Sequence, residues 1–200
     1  YGREKGIGVT LRAGGTSLNG QSQTDTIMVD VRRHFAGVKV HDDGRSVTAG
    51  PGTVLRHANT VLEPYGYKLG PDPASTDIAT IGGVVANNAG GMRCGTTFDS
   101  YSTVTAMEFV LASGTVVDSA AHDADEKLIE AEPDLARGLL EIRKEILSDP
   151  GLTARIRQKF EIKNTTGYRL CAFLDAETPV GILRRLMIGS EGTLGFISRA

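Results

Sequence analysis

"GPDPASTDIATIGGVVANNAGGMRCGT", Gly70–Thr96, is the stretch whose reading decides the fold. It carries two prolines, the glycine pairs Gly82-Gly83 and Gly90-Gly91, the adjacent asparagines Asn87-Asn88, and small residues with few charges. A surface linker would be more polar, and "IGGVVANNAGG" is apolar enough for burial. A tightly packed helix start accounts for Gly82-Gly83. It accounts poorly for two asparagines followed by two more glycines, because buried amides need hydrogen-bond partners. Small residues at this density let a flat, bulky group lie against backbone.

Three other glycine-bearing loops flank this segment. "LRAGGTSLNGQ", Leu11–Gln21, follows the strand-like "IGVT". It has no lysine after Gly20, so it is not a P-loop, and the chain shows no G-x-G-x-x-G after a strand. What remains is a nest in which the amides of Ala13, Gly14, Gly15, Thr16 and Ser17 converge on an anion. Each such charge-assisted bond is worth roughly 1.5–3 kcal/mol. Alone, the loop reads equally as a nest or as a plain turn. "AGPGT", Ala49–Thr53, is a rigid turn between a strand and a helix. "GSEGTLGFIS", Gly189–Ser198, places glycines at three-residue steps around Glu191, which reads as a structural hydrogen-bond partner rather than an acid catalyst.

Composition narrows the function classes. Glycine is the outlier, at 25 of 200 residues against a usual ~7%. The formal net charge is -2 with no long basic run, which argues against nucleic acid as a partner. No apolar stretch approaches the ~18 residues of a membrane span, and the N-terminus lacks a signal-peptide pattern. Cys94 and Cys171 fit no metal or redox spacing and read as free thiols of a reducing compartment. The chain opens in mid-phrase and stops at the strand-like "GFISRA", which reads as part of a longer protein.

The coarse elements are mixed. Strands are expected in "IGVTLR" and at Thr26–Val31, and hairpins in "VKVHDDGRSVTAG", turning at Asp43-Gly44, and in "TAMEFVLASGTVVDS". Thr53 is expected to cap a helix whose apolar face is Val54, Leu55, Ala58, Val61 and Leu62. A second helix starts at Pro133 and shows Leu135, Leu139, Ile142 and Ile146 on one face, and Pro179 opens another that runs through Met187. Without a regular βαβ rhythm, the class is α+β rather than a doubly wound sheet.

In this order the four loops resemble the FAD-binding domain of the vanillyl-alcohol oxidase/PCMH-type flavoproteins. "RAGGTSLNGQ" is similar to that family's pyrophosphate loop, "AGPGT" to its second turn, "PDPASTDIATIGGVVANNAGG" to the segment beside the flavin, and "GSEGTLGFI" to its closing motif. The resemblance covers nearly the whole chain. It implies two α+β subdomains with FAD between them, here residues 1–52 (lacking the first strand and helix) and 53–200, with a substrate-holding cap domain outside these residues. It places Arg12, Ala13, Gly14, Gly15, Thr16, Ser17 and Gln21 in the pyrophosphate loop and Pro51 and Gly52 on the adenosine side. Pro71, Ser75, Thr80, Gly82, Gly83, Asn87 and Gly90 would flank the ribityl chain and ring, and Gly192 and Ile197 would close over the cofactor.

"KNTTGYRL" (Lys163–Leu170) ahead of "LMIGSEGTLGFIS" resembles the branch that oxidises D-2-hydroxy acids such as D-lactate, D-2-hydroxyglutarate and glycolate. "CAFLDAETPVGILRR" resembles an insertion of large members fused to an iron–sulfur region. The implied partner is a small 2-hydroxy acid, with the electron acceptor and the catalytic residues unassigned. A cytoplasmic location is implied, with membrane contact only through the acceptor. Members with covalent flavin carry histidine where Thr16 stands, so FAD is expected to be non-covalent. His34, His41, His57 and His122 lie outside the four motifs and lack metal spacing, so no metal is expected. Arg184 and Arg185 read as the solvated face of a helix. Two alternatives share the same loops: a reductase of the UDP-N-acetylenolpyruvylglucosamine type, and a non-catalytic nucleotide-binding module.

Overall fold

The computed structural model describes all residues, 1–200. Helix α1 (Gly2–Lys5) leads into strand β1 (Val9–Arg12), which pairs in parallel with β2 (Ile27–Asp30), Val9 opposite Ile27. The loop from Ala13 onward leaves the end of β1. Strands β3 (Val38–His41) and β4 (Ser46–Ala49) form the first expected hairpin, antiparallel, with Val38 opposite Ala49. Its turn needs left-handed backbone at Asp43 (φ 52°) and Gly44 (φ 89°), and a Cβ on Gly44 would come within 2.4 Å of Tyr65 Cβ. Only glycine satisfies both constraints at residue 44.

Helix α2 spans Leu55–Leu62 and buries Leu55, Ala58 and Leu62. Thr53 does not cap it: Val54 occupies the N-cap position without a side-chain bond. Thr53 is instead fully buried, its Oγ1 donating to the Gly37 carbonyl (2.9 Å) and accepting from the Gly37 amide (2.8 Å). Tertiary partners here outcompete the local cap. Helix α3 (Ile81–Asn87) follows a run of turns over residues 74–78 and the extended residue Thr80, and ends at Asn88 in the left-handed region; α4 (Ser100–Thr103) is capped by Asp99.

The third sheet is β6-β5-β7, with β5 (Glu108–Leu111) central between β6 (Val116–Asp118) and β7 (Gly195–Arg199), all antiparallel. Ala49 and Ala200 exchange backbone hydrogen bonds of 2.6 and 3.1 Å, which sets the β3–β4 hairpin edge to edge against the continuation of β7. Helices α5 (Ala124–Ala131), α6 (Pro133–Ser148), α7 (Pro150–Lys159), α8 (Ala172–Asp175) and α9 (Pro179–Met187) pack among themselves and onto this sheet. Phe109, Leu128, Ile182, Met187 and Ile188 are at most 1% exposed at this junction, each worth roughly 1.5–3 kcal/mol of burial.

Helix α6 begins at Pro133 as expected, but its inward face is rotated. Ala136, Leu139 and Ile146 are buried, whereas Ile142 is 45% exposed. Arg143, its side chain 24% exposed, takes the inward position between Leu139 and Ile146, its Nε donating to the Ala176 carbonyl (2.9 Å).

Candidate functional site

The four glycine-bearing loops meet around one cavity of about 420 Å³, within the range of cofactor and ligand sites. The Leu11–Gln21 loop forms one wall. Gly14 lies flat against the next segment, since a Cβ there would meet the Ile78 carbonyl at 2.7 Å. The Pro51 turn and the first turn of α3 are knitted together by backbone bonds: Ile81 to Thr53 (2.8 Å), Gly82 to Pro51 (2.9 Å) and Leu55 to Ala79 (2.9 Å). Gly82 has no room for a side chain, with Pro51 Cβ 2.6 Å from where its Cβ would stand, and Gly83 faces Ala13. The nest, the turn and the start of α3 thus converge at one end of the cavity.

The other end is built where α3 stops. Asn88 turns the chain in left-handed backbone, its Nδ2 donating to Asp99 and its Oδ1 accepting from the Tyr101 amide. Asp72 accepts from the amides of Gly91 (2.8 Å), Arg93 and Cys94 (both 3.2 Å), holding the loop after Gly90. Burial alone would raise its pKa, but these donors together bring the Asp72 carboxyl below its ordinary range. The same burial, with Asp72 beside it, pushes the Cys94 thiol up. Lys163 donates to the Gly90 carbonyl, and Asn87 donates to Glu191. Glu191 itself sits at φ 55°, unusual for a non-glycine, with its amide bonded to the Ala86 carbonyl (2.8 Å).

Of the residues singled out in the sequence, all but Arg12, Gly52 and Pro71 line this cavity. Arg12 instead folds back beside Gly15, its Nε 3.0 Å from where a Gly15 Cβ would stand. Gly52 serves chain packing, because a Cβ would meet the Val31 carbonyl at 2.3 Å, and Pro73 rather than Pro71 reaches the wall. Lining residues not singled out include Val31, Lys163, Thr165 and Phe196, while Glu191 lines the cavity as the structural hydrogen-bond partner the sequence suggested, accepting from Asn87. Lys163 and Thr165 lie in "KNTTGYRL", a motif noticed without any residue being assigned. The histidines take no part, and His41 bonds Thr48 on the β3–β4 hairpin. No group of side chains has a metal-binding arrangement, and no helix is long and apolar enough to cross a membrane.

Beneath the site, Arg184 and Arg185 are not a solvated face. Arg184 is half-buried and donates to the Val104 carbonyl (2.6 Å), and burial lowers its pKa. The guanidiniums of Arg169 and Arg185 lie 3.9 and 5.2 Å from the Tyr101 ring centroid. Arg169 also pairs with Asp99 (2.8 Å), the side chains 14% and 3% exposed. Tyr101 donates to Asp175 (2.9 Å), and burial followed by that carboxylate pushes the phenol well up.

The donor set can be tested against a dinucleotide. The Ala13–Ser17 loop lines the cavity, and amides of such a glycine-rich loop can hold a diphosphate. Thr80, 0% exposed at the cavity wall, has an Oγ1 with no protein partner. An orphaned hydroxyl at that depth fits a polar ligand group it would otherwise lack. Lys163 and Glu191 are the sole charged residues of the lining, both bonded to residues at or just past the C-terminal end of α3. The residues present fit FAD.

The fold and this cavity define a FAD-binding domain of the PCMH type. Residues 1–120 match the family described as FAD binding domain (FAD_binding_4), and the chain belongs to it. The D-2-hydroxyglutarate dehydrogenase of Pseudomonas putida is 30% identical over 97% of this chain and 19% of that protein. The D-lactate dehydrogenase of Archaeoglobus fulgidus is 27% identical over 100% of this chain and 34% of that protein. The chain therefore spans about a fifth to a third of the length of these curated relatives. Among solved structures, alkyldihydroxyacetonephosphate synthase shares the fold at a TM-score of 0.59 and 17% identity, over 100% of this chain and 27% of that one.

Proposed function

We propose that this chain binds FAD non-covalently as part of a dehydrogenase that oxidises a D-2-hydroxy acid to the 2-oxo acid. The observation that carries the reading is the single cavity walled by all four loops, with the nest at one end and the orphaned Thr80 hydroxyl on its wall. In this reading the amides of Ala13–Ser17 hold the pyrophosphate, and Gln21 lines the same loop. Pro51 stands on the adenosine side. Ser75, Thr80, Gly82, Gly83, Asn87 and Gly90 flank the ribityl chain and ring, and Gly192 and Ile197 close the site. Residues 1–52 form one subdomain and residues 53–200 the other.

When bound, the flavin accepts the hydride from the carbinol carbon. The chain's own work is to hold the ring and exclude water beside Gly90 and Asn87. The substrate carboxylate needs a cation to hold it, and in this reading a cap domain outside these residues supplies it. A cytoplasmic location belongs to the same reading.

The purified protein should be yellow. Its flavin should bleach anaerobically with a D-2-hydroxy acid and not with the L-enantiomer. Bleaching by a reduced nicotinamide alone would point to the reductase alternative. A yellow protein that responds to neither would be a non-catalytic module, and a colourless protein that does not take up FAD would overturn the reading altogether.

A further inference from the structure

Lys163 is the one cation of the cavity lining, and it stands there without a counter-ion: its Nζ meets the Gly90 carbonyl and forms no ion pair. The other lining charge, Glu191, is occupied by Asn87. Lys163 sits at the head of a strap anchored at its far end. Thr166 donates its amide to Asn164 Oδ1 (2.9 Å) within the strap, while the Tyr168 hydroxyl bonds Thr193 Oγ1 (2.8 Å) and Arg169 is anchored in the buried pair with Asp99. The far end of that anchor, Asn88, belongs to the turn next to Gly90. The structure thus fixes a lysine against a carbonyl that any water would satisfy, despite the ~2 kcal/mol of rotamer entropy a lysine loses when ordered. Lys163 is exposed but lines the cavity, and a positive charge at a cavity wall favours whatever negative charge develops beside it.

We propose, building on the FAD reading above, that Lys163 stabilises the negative charge the flavin ring acquires on reduction, and so raises the cofactor's reduction potential. The charge accounting is closed. The donor carbinol loses a hydride to the ring and its hydroxyl proton to solvent, becoming the oxo acid. The neutral oxidised ring gains two electrons and one proton with the hydride, and so carries one negative charge. Lys163 bonds the Gly90 carbonyl just past α3, the side of the site on which Gly90 and Asn87 would flank the ring in the reading above. It acts on the reduced state far more than on the oxidised one, so it tunes the potential without being needed for FAD uptake.

The test uses the complete polypeptide with Lys163→Met, Lys163→Gln and Lys163→Arg, reading FAD content and midpoint potential by dye equilibration. The neutral variants should keep FAD and lose at least tenfold in relative affinity for the reduced form, a potential lower by about 30 mV for the two-electron couple. Lys163→Arg should stay within threefold of wild type. Neutral variants that retain FAD at an unchanged potential would overturn the proposal, and so would neutral variants that no longer take up oxidised FAD. An unchanged potential with a raised KM for the hydroxy acid would assign Lys163 to the substrate carboxylate instead. A wild-type protein without FAD would overturn this proposal together with the reading it rests on, which separates the two failures.

Discussion

Replacing Asp99 with alanine should destabilise the protein by about 4 kcal/mol. Asp99 is 3% exposed and accepts three bonds, from the Ser102 amide (2.9 Å), Asn88 Nδ2 (3.0 Å) and Arg169 Nη1 (2.8 Å). Its removal leaves Arg169, 14% exposed and with Nε already lacking a partner, facing the Tyr101 and Phe160 rings at 3.9 and 5.5 Å and no anion. Breaking a buried pair from one side costs about 3–5 kcal/mol, since an uncompensated charge stays buried. Loss of the α4 cap adds about 1 kcal/mol, partly overlapping with that figure. The slight exposure of Arg169 lets water reach it and keeps the total near the middle of the range. At about 2–4 °C per kcal/mol the melting temperature should fall by roughly 8–16 °C. Urea titration of the protein without added FAD, followed by circular dichroism, measures the change. Asp99→Ala combined with Arg169→Met should be less destabilised than the sum of the single variants by about 2 kcal/mol, because the orphaned charge is gone. A cost below about 1 kcal/mol for Asp99→Ala would refute the buried-pair argument, as would strict additivity of the pair.

Gly83→Val should lose bound FAD at least tenfold while keeping native circular dichroism. Its Cβ would stand 3.2 Å from Ala13 Cβ, a tight contact relieved by a shift of a few tenths of an ångström in the loop that lines the cavity, and valine suits a helix better than glycine; a folded, fully yellow variant would count against the site. Gly15→Val is a poorer probe, since φ 68° strains any side chain there and stability should fall along with binding. Acid precipitation of the holoprotein should leave the colour in the supernatant, because Thr16 offers no imidazole for a tether; a yellow pellet would contradict this. Asp72 is held below its ordinary pKa, so its contribution is complete above the unfolded value near ~3.9 and is lost as pH falls below that through the lowered folded value. Flavin release between pH 5 and 2 should therefore be steeper in wild type than in Asp72→Asn, and superimposable profiles would exclude Asp72 as the source.

The sequence alone determined the class of fold, the hairpin at Asp43-Gly44, the start of α6 at Pro133, and the loops that meet around the cavity. These features are local. A left-handed turn, a proline at a helix start and a glycine pair each restrict backbone within a few residues, and each leaves its mark in the residue types. What the tertiary structure decided depends on partners far away in the chain. Thr53 abandons the cap for Gly37, and Arg143 displaces Ile142 from the inward face by reaching the Ala176 carbonyl. Arg184 and Arg185 leave solvent for Val104 and Tyr101. Lys163 meets the Gly90 carbonyl at the cavity, and Arg169, six residues on, joins a buried pair with Asp99. A side chain's burial and charge partner are set by what folds against it, and its neighbours in sequence carry no record of that.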